Sequence, residues 1–312
     1  MSTRSATATV VTTGLVAGAV FGAAPAAAAT DMCVATNGAV RVQKGSATCE
    51  ATGRGSSAKA KGVDSSATAL GGDHNRAKAF GDRSIASAEL GNNNRATARG
   101  TDSQASAVTG DNNTATATSG ASVQAGFGDG NTATATGEDS GALAGFGDNN
   151  TAVATGTGSF ASAASGDNNL AIATGTNSDA GAGLGEGDNN TAIASGDDSS
   201  AVAGDGDNNT ATASGDGAQV AAIDGDDNTA LGSGEGSIAT AGIGDNNTAT
   251  ATGDDTRAFG DFGDNNAATA SGDGSMARAG GSSAADSDGN TATAASTGCS
   301  IAAQAGGQTA SC

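Results

Sequence analysis

Alanine alternates with polar residues along most of the chain, and the alternation restarts at a regularly spaced glycine. From Gly53 to Gly272 the glycines fall alternately nine and ten residues apart, as at Gly53, Gly62 and Gly72. The nine-residue half reads Gly-Asp-Asn-Asn-x-Ala-x-Ala-x, and the ten-residue half reads Gly-x-x-Ser-x-Ala-x-Ala-x-x. Because side chains of a strand alternate between its two faces, each half predicts one short strand with alanine on one face.

The 19-residue period predicts an all-β fold, a flattened two-sheet parallel β-solenoid of about 13 coils. The uniform face, Asn or Ser followed by two Ala, is expected inside, and the variable face outside. Glycine followed by Asp and Asn is typical of a corner, because these residues tolerate positive φ. One coil is a residue short at Gly110, another two residues long at Gly166, and residues 272–286 carry a longer insertion.

The predicted interior is thin, because each coil contributes only about four alanine methyl groups. The two sheets can meet only where nothing larger than alanine lies between them, so a leucine at Ala152 is expected to overpack the core. Inward asparagines are expected to bond from coil to coil, as they do in asparagine ladders. Four large residues at the extra tenth position are expected to fill a corner: Leu90, Phe146, Ile243 and Phe262.

Composition alone favours a different interpretation. The 312 residues include 52 Gly, seven Phe, no Trp and no Tyr, and the net charge is −20. Chains of low hydrophobicity and high net charge are often disordered. The strict period favours an ordered solenoid, because a disordered segment has no need of alanine at every second position.

The first 29 residues predict a secretory signal peptide. Arg4 supplies a positive start, residues 8–24 are apolar or small, and Ala27-Ala28-Ala29 offers a small-residue cleavage site. We expect an exported bacterial protein that is extracellular or held non-covalently at the cell surface. The mature chain is expected to have no transmembrane segment.

Four cysteines bracket the repeats. Cys33 and Cys49 precede them, and Cys299 and Cys312 follow them. In an exported chain this placement predicts two local disulfides, one at each end. The expected organisation is therefore a disulfide-containing cap over residues 30–52, a solenoid over 53–295 and a second disulfide-containing cap over 296–312.

Threonine dominates the outer face of the nine-residue strands. Stacked coils would place these side chains about 4.8 Å apart along the rod and about 6.7 Å apart along each strand. This Thr-x-Thr face resembles the ice-binding surfaces of β-solenoid antifreeze proteins, which implies that it orders water. Threonine is also a favourable outward residue for any strand, so a purely structural role stays open. The candidate face comprises Thr114, Thr116, Thr132, Thr134, Thr151, Thr210, Thr212, Thr248, Thr250, Thr291 and Thr293.

The Gly-x-x-Ser-x-Ala-x-Ala half resembles the head repeats of trimeric autotransporter adhesins, although the halves of that family are shorter. The resemblance implies a parallel β-roll used for surface attachment, and it leaves a homo-oligomer open.

The acidic corners resemble the calcium-binding turns of RTX-type β-rolls, although Gly-Asp-Asn-Asn departs from their G-G-x-G-x-D signature. Carboxylates stacked about 4.8 Å apart repel by about 1 kcal/mol even in water, and bridging calcium would relieve this repulsion. Solvated carboxylates are the alternative. Calcium is the one candidate cofactor, with these local ligands: Asp205, Asp207, Asn209, Asp224, Asp226 and Asn228.

Charge is divided along the chain. Residues 31–100 hold ten Lys or Arg and six Asp or Glu, a balance of +4, whereas residues 101–312 hold two and 27, a balance of −25. The basic strip is expected to bind an anionic cell-envelope polymer or the acidic end of another molecule. Nucleic acid is not an expected partner, because interleaved aromatic residues are missing from an acidic, exported chain. The strip consists of Lys59, Lys61, Arg76, Lys78, Arg95 and Arg99.

Catalytic motifs are missing from the sequence, and His74 is the single histidine. The aspartates recur in nearly every coil, whereas a catalytic site would occur once. We therefore predict a secreted, non-enzymatic structural or adhesive repeat protein that presents a regular face at the cell surface or in the extracellular matrix. The alternatives are an ice-binding protein and a calcium-stabilised surface β-roll, and the expected partners are an envelope polymer, a host or matrix surface, or ice.

Overall fold

The computed structural model describes residues 31–281 and 287–312, and the predicted signal peptide lies outside them. The described residues form strands and turns with no helix. The first half contains β1 (Met32–Thr36), β2 (Ala39–Lys44), β3 (Thr48–Ala51), β4 (Ser57–Lys61), β5 (Ser66–Leu70), β6 (Arg76–Phe80), β7 (Ile85–Glu89), β8 (Arg95–Arg99), β9 (Gln104–Val108), β10 (Thr114–Thr118), β11 (Ser122–Gly126), β12 (Thr132–Ala135), β13 (Gly141–Gly145), β14 (Thr151–Ala154) and β15 (Phe160–Ala164). The second half contains β16 (Leu170–Ala173), β17 (Asp179–Leu184), β18 (Thr191–Ala194), β19 (Ser200–Gly204), β20 (Thr210–Ala213), β21 (Gln219–Ile223), β22 (Thr229–Gly232), β23 (Ile238–Gly242), β24 (Thr248–Ala251), β25 (Arg257–Asp261), β26 (Ala267–Ala270), β27 (Met276–Ala279), β28 (Thr291–Ala294), β29 (Ser300–Ala303) and β30 (Thr309–Ser311).

Successive strands alternate between two sheets, so each coil contributes one strand to each. Sheet A has 16 strands in the order β2-β1-β4-β6 and onward through the even numbers to β30, and sheet B has 14 strands from β3 to β29 through the odd numbers. The predicted two-sheet parallel β-solenoid is confirmed, with about 14 turns rather than about 13. The count is higher because strands beside both disulfides join the sheets and lengthen the stack.

The two ends of the stack are tied by disulfides. At the first end, β1 runs antiparallel to both β2 and β4. Cys33 on β1 is bonded to Cys49 on β3, with their Cα atoms 5.5 Å apart. At the other end Cys299 is bonded to Cys312, with a Cα separation of 6.4 Å. The structure brings the cysteines together in the two predicted pairs, and both separations lie in the range usual for disulfides.

The core consists almost entirely of inward alanine side chains, most of them fully buried. Two valines interrupt this uniformity in sheet B, Val123 and Val220. In sheet A, Gly232 lies in register with Ala213 and Ala251, at a position where its neighbours carry a methyl group. A Cβ at Gly232 would lie 2.6 Å from Cγ2 of Val220. Val220 is therefore accommodated because the residue that faces it on sheet A, Gly232, has no side chain.

This compensation predicts a strong coupling between the two positions. Gly232→Ala alone should destabilise the protein, because the new methyl group overlaps Val220, whereas in a Val220→Ala background it should restore the ordinary alanine packing. We expect a coupling free energy of about 1–3 kcal/mol in a double-mutant cycle measured by urea denaturation. Simple additivity of the two substitutions would contradict the compensation.

Asparagine forms a continuous buried ladder at the start of the sheet A strands. Oδ1 of Asn150 accepts a hydrogen bond from the backbone N–H of Asn169, one coil later, at 2.9 Å. Nδ2 of Asn150 donates to the carbonyl oxygen of Gly166 at 2.8 Å. The expected ladder is confirmed, but nearly all of these amides bond to the backbone rather than to one another, the exception being Asn290, whose Nδ2 donates to Oδ1 of Asn266 at 3.1 Å. The amide oxygens satisfy backbone N–H groups throughout the ladder, and most of the amide nitrogens satisfy a buried carbonyl oxygen, whereas Nδ2 of Asn247 and of Asn266 has no partner among the described residues. The ladder comprises Asn75, Asn94, Asn113, Asn131, Asn150, Asn169, Asn190, Asn209, Asn228, Asn247, Asn266 and Asn290.

Glycine is required at the corners because successive coils touch there through their backbones. Gly206 has φ +132°, and a Cβ on it would overlap the carbonyl oxygen of Gly225 in the next coil. At Gly217, in the other corner, φ is +65° and a Cβ would have its nearest neighbouring atom 4.0 Å away. The position of Gly206 is therefore closed to any side chain, whereas the position of Gly217 has space.

Gly206→Ala is therefore expected to lower stability by at least about 3 kcal/mol, because backbone overlap adds to the cost of the left-handed conformation. Gly217→Ala is the matched control and should cost about 1 kcal/mol, for the conformation alone. Thermal unfolding of the two variants checks this difference. Equal losses of stability would show that the coils are not in contact at Gly206.

The tenth-position residues do not fill a corner, so that expectation is wrong for most of them. Leu90, Phe146 and Ile243 are 62%, 54% and 42% exposed, with φ of +55°, +58° and +56°. Phe146 instead stacks on Phe127 of the preceding coil, with ring centroids 4.8 Å apart. The backbone turns at these residues, and the left-handed conformation directs their side chains away from the narrow interior.

Coils with inserted residues change the structure only locally. The two-residue insertion after Gly166 produces a register shift between Ala182 and Leu184 in β17. Across the longer insertion, Asn290 still donates its N–H to Oδ1 of Asn266 although 24 residues separate them. Residues 282–286 within it lie outside the described part of the chain. The asparagine ladder thus keeps its order through both insertions.

Candidate functional site

The outer face of sheet A carries three parallel files of side chains, one from each outward position of the strands. Thr114 is in register with Thr132, and Thr116 with Thr134. The same pairing continues through the later even-numbered strands. All the predicted face residues lie outward and half-buried or exposed: Thr114, Thr116, Thr132, Thr134, Thr151, Thr210, Thr212, Thr248, Thr250, Thr291 and Thr293.

The first two files are interrupted by apolar residues. Val153, Ile172 and Ile193 follow one another in the second file, and Leu170 interrupts the first. These side chains form an apolar island in the middle of the hydroxyl face. Two single interruptions follow further along the rod, Leu231 in the second file and Ala267 in the first.

The third file is the most continuous, and the candidate set drawn from the sequence omitted it. Its residues follow the last inward alanine of each strand, and their backbone N–H groups donate to the next coil, for example Thr136 to the carbonyl oxygen of Ala154 at 2.9 Å. The recurrence of Thr or Ser at the ninth position of the nine-residue half is the sequence signal that would have identified this file. Each coil in this stretch contributes a hydroxyl group: Thr118, Thr136, Thr155, Thr174, Ser195, Ser214, Ser233, Thr252 and Ser271.

Six cations, the basic patch, occupy the first coils of the same face: Lys59, Lys61, Arg76, Lys78, Arg95 and Arg99. They stack in register, Lys59 beside Lys78 and Arg76 beside Arg95. Nζ of Lys59 also lies 5.7 Å from the ring centroid of Phe80, within the range of a cation–π contact. Burial, followed by repulsion from the surrounding cations, lowers the pKa of Lys78 below its ordinary value. The patch is thus a zone of concentrated, mutually repelling positive charge.

The corner before sheet A holds a column of aspartates, which we call the acidic corner. Oδ1 of Asp148 accepts the backbone N–H of Asp129 at 2.7 Å, and Oδ1 of Asp167 accepts that of Asp148 at the same distance. The pattern recurs from coil to coil as far as Asp288. Sequence reasoning placed these carboxylates in a column but missed their N–H donors, which offset the repulsion between neighbours. The column comprises Asp111, Asp129, Asp148, Asp167, Asp188, Asp207, Asp226, Asp245, Asp264 and Asp288.

The predicted calcium ligands are only partly brought together. Asp205, Asp207, Asp224 and Asp226 are exposed at the acidic corner. Asn209 and Asn228 are fully buried, and their Oδ1 atoms accept backbone N–H groups at 3.0 and 2.9 Å. Among the described residues, no group of three or more His, Cys, Asp or Glu is placed to hold a metal ion. Calcium binding by the exposed carboxylates stays a prediction, which melting temperatures with calcium and with a chelator would test.

The depressions on the described surface are open and lie between stacked side chains. One of them lies on sheet B, between Val202, Gln219 and Thr240. His74 lies exposed at a corner with φ +61°, in the position that Asn occupies in other coils. The surface therefore offers extended contact rather than enclosure of a small molecule.

Comparison with protein families, with characterised proteins and with solved structures gives no match to the chain. Within the described residues, no helix has the length and apolar character needed to cross a membrane.

Proposed function

We propose that this protein is a secreted, non-enzymatic rod that presents sheet A as an adhesive or structural face at the cell surface or in the extracellular matrix. The observation that supports it is the register of that face, where the three files together give every coil from Thr114 to Thr293 at least one outward hydroxyl group. A repeated surface of this kind favours a repeated partner, such as a polymer or a solid, over a single small ligand.

Binding along such a face would be multivalent. Each coil offers the same few contacts about 4.8 Å from the last, so individually weak contacts act together once the rod is aligned. The asparagine ladder and the buried alanines hold the coils in one register, which keeps the entropic cost of alignment low.

Adsorption to insoluble polymers tests the adhesive role. We would measure binding of the oxidised protein to purified peptidoglycan and to chitin by sedimentation with the solid. Thr134→Tyr with Thr250→Tyr places two bulky neutral groups on sheet A, and Ser106→Tyr with Thr240→Tyr places the same groups on sheet B. We expect the sheet A variant to bind at least tenfold more weakly than the control. Equal binding by both variants would rule out sheet A as the adhesive face.

Ice binding is the second candidate, and the third hydroxyl file is the observation that favours it. A flat face with threonine or serine in each successive coil from Thr118 to Ser271 offers water a regular lattice of hydroxyl groups. Thermal hysteresis and ice-crystal shaping by the purified protein test this role, with Thr136→Tyr and Thr252→Tyr as the variants. Absence of hysteresis in the unmodified protein would eliminate it.

A further inference from the structure

In the described part of the chain, the basic patch has no ionic partner. The ion pairs among the described residues join Arg83 to Asp102 and Arg278 to Asp261, and neither involves the patch. The register neighbours of its cations on sheet A, other than one another, are uncharged: Ser57, Phe80 and Thr97 inside the patch, Met32 and Val34 before it, and Thr114 and Thr118 after it. The six positive charges therefore gain from any external anion that can lie flat along the rod.

The acidic corner is densest about seven strands further along sheet A, where β20 and β22 begin. Over two adjacent coils it exposes five carboxylates, which belong to Asp205, Asp207, Asp224, Asp226 and Asp227. Asp207 and Asp226 lie three residues before β20 and β22, so this corner borders the same face as the basic patch. The two charged zones are about 34 Å apart along the rod.

Both zones have the same repeat. Two files of the patch carry cations in adjacent coils, Arg76 beside Arg95 and Lys59 beside Lys78. The carboxylates of the acidic corner also recur once per coil, and the strand spacing sets both repeats at about 4.8 Å. When two rods lie side by side with their chains running in opposite directions, both cations of such a file can therefore face carboxylates of the other rod without strain in either.

We propose that two copies of this chain form an antiparallel dimer, in which the basic patch of each copy docks on the acidic corner of the other at Asp205–Asp207 and Asp224–Asp227. A two-fold axis between the rods brings both contacts together at once, because aligning one patch with one corner also aligns the second pair. The contact is isologous and closes at two copies. It neutralises the repelling cations of the patch and part of the dense negative charge of the corner.

Sedimentation velocity of the full-length oxidised protein, over a concentration series in 0.1 M and 1 M NaCl, tests the dimer. We expect dimers at 0.1 M and monomers at 1 M, because the screening length falls from about 10 Å to about 3 Å. A monomer at every concentration in 0.1 M NaCl, or a mass that grows without a plateau at two, would overturn the proposal.

Matched variants locate the contact. Lys59→Gln with Lys78→Gln and Arg95→Gln should raise the dimer dissociation constant at least tenfold. Arg83→Gln with Arg257→Gln and Arg278→Gln removes the same charge from sheet B and a turn that precedes one of its strands, and should leave that constant within threefold. Equal effects of the two sets would overturn the assignment of the patch.

The acidic partner is tested in the same way. Asp205→Asn with Asp224→Asn and Asp227→Asn should weaken the dimer at least tenfold. These residues have left-handed backbones, with φ of +51°, +59° and +59°, and asparagine adopts that conformation as readily as aspartate does. The control set, Asp139→Asn, Asp198→Asn and Asp255→Asn, has the same conformation at the opposite corner (φ +55°, +54° and +53°) and should have little effect. If dextran sulfate binds the patch while the chain stays monomeric, the patch serves an external polyanion and the dimer is overturned.

Discussion

Ala152→Leu should lower the free energy of unfolding by about 3 kcal/mol or prevent folding, since overpacking a tight core costs about 1–3 kcal/mol even where the structure can adjust. Ala152 is fully buried on β14 between strands that also carry inward alanines. The sheets cannot separate at one coil without straining the hydrogen bonds to the coils on both sides. Urea denaturation followed by circular dichroism measures the loss.

Val153→Leu is the matched control, because it adds one methylene at the next residue but on the outer face. It should change stability by less than about 0.5 kcal/mol, as is usual for surface substitutions. A leucine tolerated equally well at both positions would show that the interior is wider than one layer of methyl groups.

Asn150→Ala is expected to cost about 3–5 kcal/mol. It leaves two buried backbone groups unpaired, the N–H of Asn169 and the carbonyl oxygen of Gly166, and each such loss costs about 1–3 kcal/mol. The missing amide also leaves a void between coils. Thermal and urea unfolding measure the effect, with native-state hydrogen exchange locating it to the coils around β14 and β16.

The neighbouring Asn149 provides the control for this substitution. It is exposed with φ +58°, and Gly130 occupies the equivalent position one coil earlier, so Asn149→Gly should be nearly neutral. Similar losses for Asn149→Gly and Asn150→Ala would mean that the inward amides contribute no more than the exposed ones.

The sequence allowed much of this architecture to be predicted, because the period of two reflects the two faces of a strand and the period of 19 reflects the length of one coil. A strand that buries alternate residues must repeat alanine as at Ala152 and Ala154, and a corner that touches the next coil must repeat glycine as at Gly206. The disulfide pairing followed in the same way, because a long rod keeps Cys33 and Cys299 far from each other.

Features that depend on relations between coils were not predictable. The N–H group of Asp129 that bonds Asp148 belongs to the backbone, which leaves no mark in the sequence. The exposure of Phe146 depends on a left-handed turn, whereas hydrophobicity alone suggested burial. The pairing of Gly232 with Val220 is a contact between the two sheets, and neither residue alone indicates it in the sequence.

The functional proposals all depend on rigidity of the stack. A face acts as a lattice only when its coils keep one register, and that register is held by the buried asparagines and the backbone contacts of the corners. The charged zones need the same order, because a flexible chain would not keep cations and carboxylates at a common repeat.

Hydrogen exchange of the oxidised protein, followed by mass spectrometry, tests this order most directly. The stacked coils predict strong and nearly uniform protection of backbone amides from β4 to β28, with faster exchange only at exposed corners and at the two ends. Exchange of those strand amides at the rate of an unstructured peptide would contradict the solenoid and with it every proposed role of sheet A.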